Sequence, residues 1–155
     1  MPRSRADLPL VVRIKKAPGT EDVPLPARMT DHAAGFDLAA AVESAVVLEP
    51  GDIRLIPCGF HMAVPHGYEA QIRPRSGLST KHGITMINAP GTIDSDYRGE
   101  VHVPLVNHGK QSFTIERGMR IAQMLVLPVP DVTLELVTEL DSTARGSRGF
   151  GHTGH

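Results

Sequence analysis

The sequence predicts an all-β domain, and three observations support that prediction. No long stretch combines a clean helical period with good helix-forming residues. Short runs rich in Val and Ile recur along the chain instead. The 15 glycines and 13 prolines fall between these runs, where they mark turns, rather than in one block. Many short strands at this spacing are typical of a β-sandwich or a closed barrel.

Strands are predicted where Val and Ile are most frequent, and turns where Gly, Pro and Asn cluster. One short helix is predicted at SGLSTKH, residues 76–82, and an extended loop over residues 18–30. The predicted strands are VVRIKK (11–16), AVVLEP (45–50), DIRLIP (52–57), YEAQIR (68–73), GITMIN (83–88), GEVHVPLVN (99–107), SFTIE (112–116), RIAQMLVLPV (120–129) and VTLELVTEL (132–140), and the predicted turns are 49–51, 57–59, 65–67, 89–91, 107–109 and 117–118.

Length and local composition predict the domain organisation. A chain of 155 residues is long enough for one domain with its own core and short for two. We expect residues 1–140 to form that domain. Residues 141–155 are rich in glycine and almost free of apolar side chains, so we expect a flexible arm that cannot hold itself in a core.

Composition and charge argue against several classes of function. Hydrophobic residues make up 41% of the chain and charged residues 21%, and the formal net charge is −1. These values are ordinary for a soluble globular protein and give no general basic surface for nucleic acid or an anionic membrane. Trp is absent and Phe and Tyr are few, so an aromatic platform for stacking bases is not expected. We therefore expect neither a nucleic acid polymer nor a membrane as partner.

Cys58 is the only cysteine, so the chain has no internal disulfide and a cytoplasmic location is expected. The residue lies in DIRLIPCGFHMAVP, an apolar and strand-like context. This context favours a buried, inert thiol over a catalytic one.

Two polar stretches in the middle of the chain carry candidate chemistry. Arg75, Ser76 and Gly77 come where the short helix begins, and they suit either an anion site or a capped turn. In GTIDSDYRGE (91–100), Asp94 and Asp96 would face the same side of an extended strand. Two facing carboxylates suit a divalent cation or an activated water, and the plainer interpretation is a polar hairpin tip.

The tail matches G-x-G-x-x-G over residues 149–154, but no strand–helix unit surrounds it, so it is not a dinucleotide fingerprint. Its glycine N–H groups, with Arg145 and Arg148, suit phosphate binding; the alternative is a disordered tail. No zinc-ligand pattern stands out, and structural zinc is not expected.

Five motifs together resemble the trimeric dUTP diphosphatases (dUTPases), of bacterial type, over nearly the whole chain. His152 stands where many relatives have Ser. The resemblance implies a distorted jelly-roll β-barrel, a homotrimer with active sites shared between subunits, and an arm that closes over a neighbour's site. The motifs are AAGFDLAA (33–40), RPRSGLS (73–79), NAPGTIDSDYRGE (88–100), GMRIAQM (118–124) and RGSRGFGHTG (145–154).

The resemblance also implies the reaction, which is hydrolysis of dUTP to dUMP and pyrophosphate by attack of water on the α-phosphorus. Such a reaction limits uracil in DNA and supplies dUMP for dTMP synthesis. The implied cofactor is Mg²⁺, which would bind mainly the three phosphate groups and water. Asp37 would hold one of the metal-bound waters.

The resemblance assigns roles to individual residues. Asp94 is the general base for the attacking water, and Gln123 places that water at the α-phosphate. Tyr97 packs under the deoxyribose and rejects a ribose, while Asp96 is structural. The remaining implied substrate contacts are Arg75, Ser76, Gly77 and Arg145 on the phosphates, Asn88, Thr92, Ile93 and His102 on the uracil edge, Phe150 stacked on the uracil, and Gly151 next to it.

Two alternatives remain, one of them another enzyme and the other a protein of a different class. A dCTP deaminase, or a bifunctional deaminase–diphosphatase, of the same fold would use a glutamate base in the corresponding hairpin, where this chain has Asp94 in IDSDYRG. A non-catalytic, nucleotide-binding trimer would have a broken motif, and none of the five is broken here.

Overall fold

A computed structural model describes residues 9–149. The all-β class with one short helix is confirmed. In chain order the elements are β1 (Arg13–Lys16), β2 (Phe36–Ala39), β3 (Val46–Leu48), β4 (Ile53–Ala63), β5 (Tyr68–Pro74), α1 (Ser76–His82), β6 (Ile84–Met86), β7 (Gly91–Ile93), β8 (Glu100–Asn107), β9 (Phe113–Ile115) and β10 (Arg120–Pro128).

The strands form three antiparallel sheets, with orders β1-β4-β8-β6, β2-β10-β5-β7 and β3-β9. Within residues 9–149 the hydrogen bonds do not close these sheets into a barrel, which differs from the expected jelly-roll barrel. One hydrophobic core is shared by all three sheets. Its largest fully buried side chains include Phe60, Leu38, Leu48, Ile56, Leu105 and Ile121.

A β-bulge at Gly59 replaces the predicted turn at 57–59. The pairing register of β4 with β8 shifts between Pro57 and His61. Gly59 has φ of 74°, and a Cβ there would lie 2.8 Å from the Cβ of Ala41. Its N–H donates to Oε1 of Glu100 at 3.0 Å. Pro and Gly therefore mark a bulge that extends the strand, because the bulge needs a positive φ and close backbone packing.

The helix and several strands match their predictions, whereas others were missed. Helix α1 spans the predicted residues and ends at Gly83, which has φ of 71°. Strands β2 and β7 were not predicted. They are only 4 and 3 residues long, too short for their period to be read from the sequence.

The strand predicted over 132–140 is not formed. Strand β10 ends at Pro128, and residues 129–149 contain no strand. Leu134 is 93% exposed and Leu136 is 99% exposed. Residues 129–149 are called the arm below.

The loop at 18–30 is tied to the turn that precedes β10. Arg117 donates two hydrogen bonds to the carboxylate of Asp22, at 2.7 and 2.8 Å, and further ones to the carbonyls of Gly19 and Val42. These hydrogen bonds lower the pKa of Asp22 to about 2 and raise the pKa of Arg117. The loop is therefore held by a bidentate ion pair between Arg117 and Asp22.

Candidate active site

Strands β2, β10 and β5 bring two arginines onto one carboxylate. Oδ2 of Asp37 lies 3.1 Å from Nη1 of Arg120 and 3.5 Å from Nη2 of Arg75. Nη1 of Arg75 also donates to the carbonyl oxygen of Arg120 at 3.1 Å. These three residues are called the arginine cluster. With two guanidinium groups for one carboxylate, the cluster has excess positive charge and is suited to bind an anion.

Gln123 lies beside this cluster on β10, where it pairs with Asp37 of the neighbouring strand β2. Its Nε2 donates to the carbonyl oxygen of Pro74 at 3.0 Å. A Cβ on Gly35 would lie 2.7 Å from its Oε1. Gln123 is thus confined between the start of β2 and the residue that precedes Arg75.

Ser76 and Gly77 are the first residues of α1, and both are exposed. No side chain caps this helix end. The first N–H groups of a helix have no partner within the helix, so they can face a ligand. The structure thus brings Arg75, Ser76, Gly77, Asp37 and Gln123 into one region.

Most of the other predicted residues lie on β7 or in the segments before and after it. Thr92 is exposed and Ile93 is buried on this strand. The N–H of Tyr97 donates to the carbonyl of Asp94 at 3.2 Å, which closes a turn. Asp94 and Asp96 therefore lie in a turn rather than in an extended strand, and the same-face argument for the two carboxylates does not hold. The hydroxyl of Tyr97 donates to the carbonyl of Glu100 at 2.9 Å.

The segment from Asn88 to Tyr97 does not form a hairpin, so the hairpin-tip interpretation of residues 91–100 is wrong. Strand β7 pairs with β5, whereas β8 pairs with β4 and β6, so the segment crosses between two sheets. Asn88 is exposed where this crossing begins. His102 is half-buried on β8, in the other sheet.

The two groups of residues lie at opposite ends of β5. Thr92 pairs with Gln71 and Ile93 with Ala70, so Asp94 continues toward the start of β5, while Arg75 follows its end. The Cα atoms of Asp94 and Arg75 are therefore about six strand residues, or ~20 Å, apart. Next to Asp94 is a cavity of about 670 Å³ whose lining includes His66, Tyr68, Glu69, Thr92, Ser95 and Asp131.

Arg145 lies in the arm, where it forms a local turn with Arg148. Nε of Arg145 donates to the carbonyl of Arg148 at 2.8 Å, and Nε of Arg148 donates back to the carbonyl of Arg145 at 3.0 Å. The predicted contacts of Phe150 and Gly151 lie outside the described residues.

The sequence interpretation of Cys58 is confirmed, whereas Arg120 was given no role. Cys58 is buried, and burial raises the pKa of its thiol to about 12, so it is inert. Arg120 belongs to the motif GMRIAQM, which was the available signal. Its contact with Asp37 spans 83 residues of sequence and could not be derived from spacing.

The residues of the candidate site suit a metal ion that is coordinated mainly by a bound phosphate compound and not by the protein. Within residues 9–149, no group of three or more His, Cys, Asp or Glu side chains is arranged to hold a metal ion. The arginine cluster contains one carboxylate, on Asp37, whose Oδ2 contacts both guanidinium groups. This arrangement fits Mg²⁺ that is coordinated by phosphate oxygens and water.

No helix within residues 9–149 has the length and apolar character needed to cross a membrane.

Comparisons with known proteins identify the family. The family profile described as dUTPase matches residues 21–154. The deoxyuridine 5′-triphosphate nucleotidohydrolase of Desulfotalea psychrophila is 58% identical over 135 residues, covering 87% of this chain and 90% of that protein. The protein of the same name from Caldanaerobacter subterraneus subsp. tengcongensis is 52% identical over 145 residues, covering 94% and 98%.

Solved structures that match this chain are also dUTPases. The dUTPase of Staphylococcus bacteriophage 80alpha with dUpNHpp matches with a TM-score of 0.83 and 26% identity, over 94% of this chain and 99% of that one. A mutant dUTPase from phage phi11 of S. aureus, described with a structural Mg(II) ion, shares the fold with a TM-score of 0.75 and 23% identity, over 85% and 99%. The chain belongs to the dUTPase family, so the predicted family and enzyme class are confirmed.

Proposed function

We propose that this chain hydrolyses dUTP to dUMP and pyrophosphate, with Mg²⁺, at sites shared between the subunits of a homotrimer. The observation that carries this proposal is that Asp94 and Arg75 lie at opposite ends of β5, which the rise of a strand puts at roughly 20 Å. One chain holds the arginine cluster at one end and the turn with Asp94 at the other. A neighbouring copy would bring the two ends together.

Two exposed apolar surfaces support an assembly. Leu55, which is 62% exposed, pairs with Pro104, and the N–H of Ile87, which is 52% exposed, donates to the carbonyl of Pro104. These residues form an apolar row across the outer face of the first sheet. In the arm, Leu134 and Leu136 are almost fully exposed. Burying each leucine would stabilise an assembly by about 1.5–3 kcal/mol.

In the proposed mechanism, Asp94 accepts a proton from the water that attacks the α-phosphorus. The exposure of Asp94 beside a large cavity is consistent with this role. Arg75, with Ser76 and Gly77 at the helix start, binds the phosphates, and Gln123 faces the α-phosphate. When bound with the substrate, Mg²⁺ would neutralise charge on the phosphates, and Asp37 is the residue proposed to hold one of its waters.

Recognition of the nucleoside is assigned to the segment that follows β6. Tyr97 packs under the deoxyribose, and its hydroxyl bond to Glu100 holds the ring in place. The uracil edge is read by one residue before β7, two residues on β7 and one residue on β8. These are Asn88, Thr92, Ile93 and His102. A mismatched base leaves a buried polar group unpaired, at a cost of about 1–3 kcal/mol.

The C-terminal residues of a third subunit complete the proposed site. Residues 141–155 close over it, Arg145 binds the outer phosphates, and Phe150 stacks on the uracil with Gly151 beside it. The arginine at 145 is exposed and its guanidinium is bonded only within the arm in the described residues, which leaves it accessible to a ligand. We place this reaction in the cytoplasm, as the single buried cysteine suggests.

The reaction is tested by pyrophosphate release from dUTP, UTP, dCTP and dTTP with Mg²⁺. We expect release from dUTP alone, and its loss in Asp94→Asn. No release from dUTP by the native chain would overturn the enzymatic proposal and favour a nucleotide-binding trimer. Ammonia release from dCTP would favour the deaminase instead.

Sharing of the site is tested by mixing two variants, each of which has strongly reduced activity. Chains with Arg75→Ala and chains with Asp94→Asn are refolded together in equal amounts. About one site in four then combines an intact Arg75 with a neighbour's intact Asp94, so about a quarter of native activity returns. A mixture of Arg75→Ala with Gln123→Ala is the matched control, because both changes affect the same half-site. Recovery in the control, or none in the first mixture, would contradict a shared site.

A further inference from the structure

We propose that Arg120 is a positioning residue, which acts through Asp37 to hold the guanidinium of Arg75 on the phosphate chain. This inference rests on the proposed function. Arg75 reaches out from the end of β5 and is 29% exposed. A long side chain in that position loses considerable rotamer freedom when it must hold one geometry. Its contacts with Asp37 and with the backbone carbonyl of Arg120 restrict that freedom.

A bulge in β10 places Arg120 where it can do this. Residues three apart in a regular strand face opposite sides, so Arg120 and Gln123 would point apart. The register with β2 shifts between Arg120 and Ala122, which inserts one extra residue, and Ile121 and Ala122 are both buried. Arg120 therefore pairs with Ala39, and it faces the same side as Asp37 and Gln123.

Two sets of contacts connect Arg120 with Arg75. Nη1 of Arg120 binds Oδ2 of Asp37 at 3.1 Å, and the same oxygen lies 3.5 Å from Nη2 of Arg75. The backbone carbonyl of Arg120 accepts from Nη1 of Arg75 at 3.1 Å. Arg75 is thus held from two directions by one residue, once through the carboxylate and once through the backbone. Arg120 itself is more exposed, at 47%, than the residues that it supports.

A substitution of Arg120 removes its side-chain contact and keeps its backbone contact. Replacing Arg120 by Gln leaves its backbone carbonyl in place and removes only the contact with Asp37. Arg75 then keeps both direct contacts, but the Asp37 carboxylate that makes one of them has lost its 3.1 Å hydrogen bond from Arg120 and can move. A shift of about 1 Å in a positioning group can lower activity by about 100-fold, so we expect Arg120→Gln to lower kcat/KM by about 10- to 100-fold.

A double-mutant cycle tests the proposal with dUTP as substrate. If Arg120 acts through Arg75, then Arg120→Gln lowers kcat/KM by less than about twofold when Arg75→Ala is already present. Arg120→Lys retains one donor for Asp37, and we expect it to restore most of the activity. The full effect of Arg120→Gln in the Arg75→Ala background would overturn the proposal, because Arg120 would then act on the phosphates directly or through stability.

Binding provides a readout that a general loss of structure would not reproduce. Calorimetry should show weaker binding of dUpNHpp by Arg120→Gln and unchanged binding of dUMP, which lacks the outer phosphates. Equal weakening of both ligands would overturn the proposal. The matched control is Arg54→Gln, which breaks the exposed Arg54–Asp52 ion pair elsewhere and should change neither value. An inactive native chain would instead refute the proposed function.

Discussion

The confinement of Gln123 makes Gly35→Ala a selective probe of the active site. The new Cβ would lie 2.7 Å from Oε1 of Gln123, whereas ordinary contact is about 3.5 Å. The amide must therefore move by about 0.8 Å, which disrupts its hydrogen bond to the carbonyl of Pro74 at a cost of about 1 kcal/mol. The clashing atom ends a flexible side chain, so the rest of the fold is unaffected.

We expect Gly35→Ala to lower kcat/KM for dUTP by about 10- to 100-fold, because Gln123 is displaced by nearly 1 Å. Pyrophosphate release measures activity, and urea unfolding measures stability. The decisive comparison uses Gln123→Ala, in which the clashing oxygen is absent. Adding Gly35→Ala to that variant should have no further effect. An equal loss in both backgrounds, or destabilisation by more than about 3 kcal/mol, would refute this reasoning.

Three further predictions concern stability and reactivity. Asn107→Asp should destabilise the fold by about 2–6 kcal/mol in urea unfolding, because the buried amide donates to the carbonyls of Leu48 and Gln111 and a carboxylate cannot; an unchanged midpoint would contradict it. The pKa of Asp22 falls from 3.8 to about 2 on folding, so its contribution to stability is complete above about pH 4 and is lost as the pH falls toward 2. Unfolding between pH 5 and 2 should therefore depend less on pH in Asp22→Asn, and equal slopes would argue against the ion pair with Arg117. A thiol reagent at pH 8 should label Cys58 only after unfolding, since burial raises the pKa of that thiol to about 12, and rapid labelling of the native chain would show an accessible site.

Local patterns predicted the helix and much of the strand content. SGLSTKH contains no β-branched run and is followed by Gly83, whose positive φ ends the helix as expected for a C-terminal glycine. By contrast, Gly59 looked like a turn residue because Pro and Gly adjoin it. The sequence does not distinguish a turn from a bulge, since that depends on whether the partner strand continues past the residue.

The segment 132–140 shows a second reason why a prediction from local sequence can fail. Its alternating Leu134 and Leu136 suit a strand, but a strand also needs a partner, and the described chain gives it none. The arginine cluster could not be predicted for a related reason. Asp37 and Arg120 are far apart in sequence, and the bulge that aligns them is invisible in the local pattern.

The placement of Asp94 and Arg75 at opposite ends of β5 has a thermodynamic consequence in the proposed trimer. A nucleotide that touches both residues binds the assembly and not the isolated chain. By mass action, such a nucleotide draws subunits together, and dilution that separates them removes activity before any chain unfolds. Specific activity would then rise with protein concentration, and substrate would protect the enzyme against dilution. Because β5 separates the two residues within one chain, catalysis in such a trimer depends on the association of its subunits.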